Sequence, residues 1–354
     1  MSDNFRELLR KVGSGEHTGK LLTRSEAAAA TRMMLLGEAT PAQIGAFMIS
    51  HRIRRPTGEE LAGMLDAYDE LGPKLQPLSG GNWASLPVTV LGVPYDGRSR
   101  TAPISPLTAL MLATAGVPVV MHGGGRMPTK EGVPLIEIWQ GLGVDWTQLT
   151  LAQVQTVLET TGVGFVYIGQ HFPEAESLVR YRREIGKRPP FATMELMWCP
   201  VAGDAHLVCG YVHPPTENMF REALALRGIQ NFTTVKGLEG SCDLPRDRTA
   251  IIGISKPNTA FERLLLAHGD YGFSSTNPPL EATAELVQEM HSILRGGEAS
   301  ELRQSALWNG GFYLWRCGVC PDMNSALAKA ESLLTSGEVA KKLEEIQKSS
   351  RVGG

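Results

Sequence analysis

The chain has 354 residues, 42% of them hydrophobic and 20% charged, with a formal net charge of −3. That length is ample for a sizeable core and suggests two domains, and the composition is that of an ordinary globular protein. The charge supplies no global pull toward nucleic acid or an anionic membrane, although it leaves room for a local basic surface. Five cysteines, an odd number, point to reduced thiols in a cytoplasmic protein. The first residues lack the apolar core of a signal peptide, and no apolar stretch is long enough to span a bilayer. A soluble protein with no membrane association is expected.

Residues 4–70 read as all-helical. Phe5 to Val12 is an amphipathic start. The following Gly13–Leu21 stretch invites comparison with a phosphate-binding Walker loop and fails, because Leu21 sits where Ser or Thr must meet magnesium. Thr23 with Glu26, and Thr57 with Glu60, are capping boxes that open helices, and Thr40-Pro41 opens a third. Ile44, Phe47, Met48 and His51 share one face of that third helix. Residues 71–87, rich in Gly and Pro, read as a hinge or linker.

Val88 to Leu91 is short, apolar and β-branched, as a buried strand is. A polar loop follows, then a helix over 107–115 and a second buried strand over 117–121. Ser105 is placed to cap the helix, with Pro106 in its first turn. The two loops lie at the carboxyl ends of their strands, where open α/β sheets bind ligands. Glycines there let backbone N–H groups approach an anion, and Arg98, Arg100, Arg126 and Lys130 supply positive charge. The same loops are also ordinary tight connections in many folds.

Helices follow over 135–142 and 150–159, a strand over 164–168, and a basic helix over 173–185. On that helix Arg180, Arg183 and Lys187 share one side, with Arg182 and Arg188 nearby: either a solvated face or a phosphate-facing one. Strands over 207–212 and 251–254 and helices over 216–227, 282–294, 301–315, 323–334 and 339–346 complete an α/β architecture. Cys317 and Cys320 form a lone C-x-x-C with no further zinc ligand nearby, and read as two thiols in a helix–helix connection.

Several segments together resemble the anthranilate phosphoribosyltransferase family, with its nucleoside-phosphorylase-type fold: Leu22-Thr-Arg-Ser-Glu-Ala, Gly37-Glu-Ala-Thr-Pro-Ala-Gln, Glu59-Glu-Leu-Ala-Gly, Arg182-Arg-Glu-Ile-Gly-Lys-Arg188, Asn309-Gly-Gly and Ser336-Gly-Glu-Val-Ala. The resemblance implies a small helical domain over 1–70, with part of 173–190 packing back on it. A linker over 71–87 would lead to a larger α/β domain over 88–354 with a mostly parallel central sheet. It also implies a homodimer through the helical domain, and transfer of a phosphoribosyl group from phosphoribosyl diphosphate to anthranilate with Mg2+. The donor would meet Gly92, Asp96, Gly97, Thr101, Ser105, His122, Gly123 and Lys130. An acidic acceptor would meet Arg188, and Mg2+ would meet Ser105, Glu239 and Asp243. No catalytic residue is assigned; His122 is an acid or base candidate, or a loop histidine bonded to backbone.

The match is broken at the site itself. The family's G-T-G-G-D reads Gly92-Val-Pro-Tyr-Asp96, its T-x-N-I-S-T reads Thr101-Ala-Pro-Ile-Ser105-Pro, its K-H-G-N-R reads Met121-His-Gly-Gly-Gly-Arg126, and its D-E pair reads Cys242-Asp243. A cysteine is a poor ligand for a hard cation. These departures resemble the YbiB-like branch, which is associated with nucleic-acid binding. The expectation is therefore a glycosyl or phosphoribosyl transferase with a divergent donor site, distinct from the tryptophan-pathway enzyme. The alternative is a non-catalytic binder of nucleic acid, or of another phosphorylated small molecule, using Arg98, Arg100, Arg126, Arg180, Arg183 and Lys187.

Overall fold

The computed structural model describes residues 3–15, 18–78, 83 and 86–351. Glu16 and His17 of the Walker-like stretch, and residues 79–82, 84 and 85 of the expected linker, lie outside them. Four helices come first: α1 (Asp3–Gly13), α2 (Arg24–Leu35), α3 (Pro41–Arg54) and α4 (Gly58–Leu71). Thr23, Thr40 and Thr57 each accept from the N3 backbone amide, while the N3 side chains of Glu26, Gln43 and Glu60 return to the cap. Each box satisfies two amides that a helix start otherwise leaves unpaired. Glu60 is fully buried and also accepts from Leu22 N (2.8 Å) and Arg54, with His51 Nε2 at 3.4 Å, so one carboxylate ties three segments together.

The rest wraps a seven-stranded sheet in the order β3-β2-β1-β4-β5-β6-β7. Its strands are β1 (Val88–Gly92), β2 (Val119–Gly123), β3 (Val163–Tyr167), β4 (Ala205–Gly210), β5 (Phe232–Val235), β6 (Ala250–Ser255) and β7 (Glu262–Leu266). The first five pair in parallel, and β6 and β7 add antiparallel pairs at one edge. Parallel strands need covering on both faces, so they read as unbroken apolar runs; β1 and β2 are buried at every position. The covering helices are α5 (Ser105–Thr114), α6 (Leu135–Gly141), α7 (Leu151–Thr161), α8 (Ile168–His171), α9 (Pro173–Glu176), α10 (Val179–Ile185), α11 (Phe191–Met194), α12 (Pro214–Leu226), α13 (Thr283–Leu294), α14 (Glu301–Arg316), α15 (Met323–Thr335) and α16 (Glu338–Arg351). α5 is apolar all round, and α14, α15 and α16 pack over it, so its residues from Ser105 to Ala113 are all buried.

Three expectations change. The basic helix over 173–185 is broken into α9 and α10: Ser177 N still bonds to Pro173 O (2.9 Å), but Leu178 N turns to Ala175 O (3.1 Å), a tighter turn that interrupts the helix. Arg182 is on its buried side, held by Glu195, while Arg180, Arg183 and Lys187 are exposed. Ser105 does not cap α5, because the cap position is Ile104. Strands β5 and β7 occupy stretches that carried no assignment.

The helical bundle is joined to the sheet by α4 against α12. Arg24 donates to both oxygens of Asp66 (2.5 and 2.9 Å) and to Leu226 O (2.6 Å). Arg227 pairs with Asp66 (3.6 Å) and Asp69. A Cβ on Gly58 would lie 2.5 Å from the Glu222 side chain, so the approach depends on glycine there.

Candidate functional site

The strand order reverses at β1, which has β2 on one side and β4 on the other. At such a switch point the loops leaving the two strands part and open a crevice at their carboxyl ends. Three loops meet there, after β1, β2 and β5. The first two are zipped by Arg98 N to Val133 O (3.1 Å) and Val133 N to Arg98 O (2.8 Å). Gly97 permits this: its φ is +75°, and a Cβ there would lie 2.5 Å from Gly132 C. The loop after β5 turns at Glu239, a non-glycine residue in the left-handed region at φ 52°. That conformation costs about 1 kcal/mol and aims the carboxylate at the loop after β1.

The side chains then lock together. The Arg98 guanidinium is buried. It donates from Nη1 to Asp243 Oδ2 and Ser241 Oγ (both 2.8 Å), from Nε to Glu239 Oε1 (3.4 Å) and from Nη2 to Thr101 Oγ1. Asp243 also accepts from Ser105 Oγ (2.8 Å) and from Ile104 N (3.0 Å), and so caps α5 from 139 residues away. Glu239 accepts from the amides of Ser99 (3.2 Å), Arg100 (3.1 Å) and Thr101 (3.0 Å), and from Lys130 Nζ (3.2 Å). Burial works against its charge, but Arg98, Lys130 and those amides hold its carboxyl far below the usual carboxylate range. What remains is a cavity of about 10 Å³ lined by Arg98, Ser105, Ser241 and Asp243, room for one water at most.

The structure thus brings Gly97, Thr101, Ser105, Lys130, Glu239 and Asp243 into one cluster, and Arg98 is at its centre. Asp96 is buried beside it and is engaged by Arg188, so the residues expected to meet donor and acceptor hold each other. Gly92 and Gly123 end β1 and β2. His122 is fully buried, its Nδ1 2.6 Å from Tyr95 Oη and its ring against Trp198. Burial pushes its pKa down to about 3, so it is neutral at physiological pH.

Magnesium does not fit this arrangement. It requires close to six oxygens at about 2.0–2.1 Å, whereas the oxygens of Ser105, Glu239 and Asp243 already serve Arg98, Lys130 and the loop amides. The Cys242 thiol is buried and its pKa is pushed up by that burial, so it supplies no thiolate.

Of the other basic residues, only Arg100 touches this cluster, at its rim. Arg126 is forked onto Glu137 (2.6 and 2.8 Å), Arg183 is 3.7 Å from Glu131, and Arg180 stacks on Tyr181. Arg100 and Lys187 are exposed. A cleft of about 860 Å³ between the bundle and the sheet domain is lined by Arg52, Arg55, Arg188 and His213, with no carboxylate among its described residues. Nothing in the sequence points to it beyond a run of arginines at the end of α3, because its walls are more than 130 residues apart.

Residues 6–72 match the model of a glycosyl transferase family helical bundle domain, and residues 96–340 match that of a glycosyl transferase family a/b domain. The chain is 28% identical over 323 residues to an uncharacterized protein of Aquifex aeolicus, covering 88% of this chain and 92% of the relative. It is 26% identical over 341 residues to the anthranilate phosphoribosyltransferase of Acetivibrio thermocellus, covering 96% and 95%. Among solved structures, the anthranilate phosphoribosyltransferase of Thermus thermophilus superposes with a TM-score of 0.81 at 21% identity over 99% of this chain and 100% of that one. That of Saccharomyces cerevisiae, in complex with phosphoribosyl diphosphate and Mg, gives 0.83 at 15% over 99% of both.

Proposed function

Because this chain belongs to the glycosyl transferase family defined by those two models, we propose that it is a phosphoribosyltransferase-like protein whose donor site has been closed by its own side chains. It binds phosphate-bearing ligands without carrying out the Mg2+-dependent transfer to anthranilate. The observation that carries this reading is the Arg98–Glu239–Asp243 cluster. A buried cation, a half-buried one and two carboxylates neutralise one another where a donor would need both free loop amides and a metal. A transferase of this kind works by positioning and by stabilising charge as diphosphate departs, and here the groups suited to that are committed to each other. His122, neutral and enclosed, is poorly placed for proton transfer.

Nucleic acid is the favoured phosphate-bearing ligand. The cleft lined by Arg52, Arg55 and His213 supports it, since Arg55 and His213 have no side-chain partner among the described residues. Exposed Arg100 and Lys187 add to the basic surface. Pairing of two chains through the helical bundle belongs to the same proposal.

The test is incubation with phosphoribosyl diphosphate and anthranilate, with and without Mg2+. No diphosphate release is expected, and steady release sinks the reading. Retention of single-stranded DNA is expected to fall steeply with salt, as phosphate contacts dictate. Retention that ignores salt, or none at all, counts against the nucleic-acid part, and sedimentation as a monomer removes the pairing.

A further inference from the structure

We infer that Arg98 is a built-in cation: its guanidinium occupies a latent divalent-cation site formed by Ser105, Ser241, Glu239 and Asp243, and shortening it opens that site to a metal. This rests on the reading that the donor site is closed.

Arg98 and Lys130 face Glu239 and Asp243, two positive groups against two negative ones, with Arg100 touching only the rim at 3.9 Å. The cluster is neutral as it stands. Adding a doubly charged ion to it would place unbalanced charge in a buried site, which the surroundings cannot solvate. Removing the guanidinium leaves the opposite imbalance: Asp243 and Glu239 against Lys130 alone.

Geometry agrees with charge. Arginine presents five N–H donors in a rigid fork. Here three of its nitrogens reach four different residues, all through oxygen: Asp243 and Ser241 at 2.8 Å, Glu239 at 3.4 Å, and Thr101. Those oxygens, with Ser105 Oγ beside Asp243 Oδ1, are carboxylate and hydroxyl groups, the set a hard cation selects. Truncation at Cβ removes the whole guanidinium and its stem, and the space it leaves joins the existing cavity of about 10 Å³. The carboxylates are held in place by groups other than Arg98. The amides of Ile104 and Thr101 and the Ser105 hydroxyl fix them, so the site stays formed when the arginine is shortened.

The experiment titrates Mn2+, followed by the loss of its free electron-paramagnetic-resonance signal, into the full chain and into Arg98→Ala, with no donor or acceptor present. The wild-type chain is expected to take up no Mn2+ at this site. Arg98→Ala is expected to bind one ion per chain at least about tenfold more tightly than wild type, because Asp243 has lost its counter-charge and Glu239 keeps only Lys130, and Arg98→Ala/Asp243→Asn is expected to lose it. A wild-type chain that binds Mn2+ as well as the variant, or a folded variant that binds no better than wild type, overturns the inference. If Arg98→Ala does not fold alone, folding upon addition of Mn2+ supports it, and failure to fold with Mn2+ present counts against it. Diphosphate release by the wild-type chain without any divalent cation would sink the proposed function and leave this inference standing.

Discussion

Replacing Glu239 with alanine should convert the self-filled cluster into an anion site. The carboxylate accepts from seven donors: Arg98 Nε, Lys130 Nζ, the amides of residues 99–101 and the hydroxyls of Ser99 and Thr101. Its loss leaves Arg98 and Lys130 facing Asp243 alone, a net positive charge in a buried place. Removing one partner of a buried pair costs about 3–5 kcal/mol. Ser99 and Arg100 are exposed, so their amides rehydrate, and the lower end, about 3 kcal/mol, is the expected destabilisation. Inorganic phosphate offers the same three amides and two cations an equivalent partner. At about one hundred times its dissociation constant it returns about 2.7 kcal/mol. The assay is urea unfolding followed by circular dichroism, in phosphate and in chloride at equal ionic strength. The midpoint of the variant should drop in chloride and recover in phosphate, while wild type hardly responds. A variant with the wild-type midpoint, or equal phosphate shifts in both proteins, would refute the reasoning.

Glu60 has its carboxyl lowered to about 2: burial opposes this, and His51 with the amides of Leu22 and Thr57 outweighs it. A lowered acid contributes stability above its unfolded pKa near 4.3 and loses it as pH falls toward 2, so Glu60→Gln should remove about 3 kcal/mol at pH 7 and much less at pH 2; equal losses at both pH values would contradict this. His122, pushed down to about 3 by burial, takes no proton in the folded state where the unfolded chain does. Its ring resonances should therefore not titrate between pH 5 and 8, and a midpoint near 6.5 would show that it is solvated. The buried Arg182–Glu195 pair should cost about 3–5 kcal/mol when cut by Glu195→Ala. Arg126→Ala, at an exposed pair with Glu137, should change stability by under about 1 kcal/mol. Comparable losses from the two would overturn the distinction between them.

Local signals were legible in the sequence wherever a structure is decided within one turn. The capping boxes at Thr23 and Thr57 are such cases, since the whole motif spans four residues. Strand β5, with its two central threonines, and β7, with Glu262 and Arg263 on an exposed edge, lacked the apolar run that revealed β1 and β2. Family resemblance named Ser105, Glu239 and Asp243 together, and they do meet. It did not reveal that Arg98 fills the space among them, because its partners lie 141–145 residues further along. A guanidinium in a polar loop reads as a surface charge until the fold supplies two carboxylates for it. The break in the basic run over 173–185 was hidden for a related reason: Ser177 and Leu178 are compatible with a helix, and it is the shift of Leu178 N to Ala175 O that interrupts it.

The α4–α12 joint also bears on motion. Clefts between two bodies commonly widen by hinge rotation about the chain segments that cross between them. Here such a swing would have to pull Arg24 from Leu226 O and Arg227 from Asp66 and Asp69. It would also have to withdraw Gly58 from its seat against Glu222. The joint acts as a weld rather than a hinge, and amides of α4 and α12 should exchange hydrogen in one common step. A ligand reaching the basic cleft therefore meets an aperture already cut to size, and selection falls on its girth and charge rather than on its power to close a jaw.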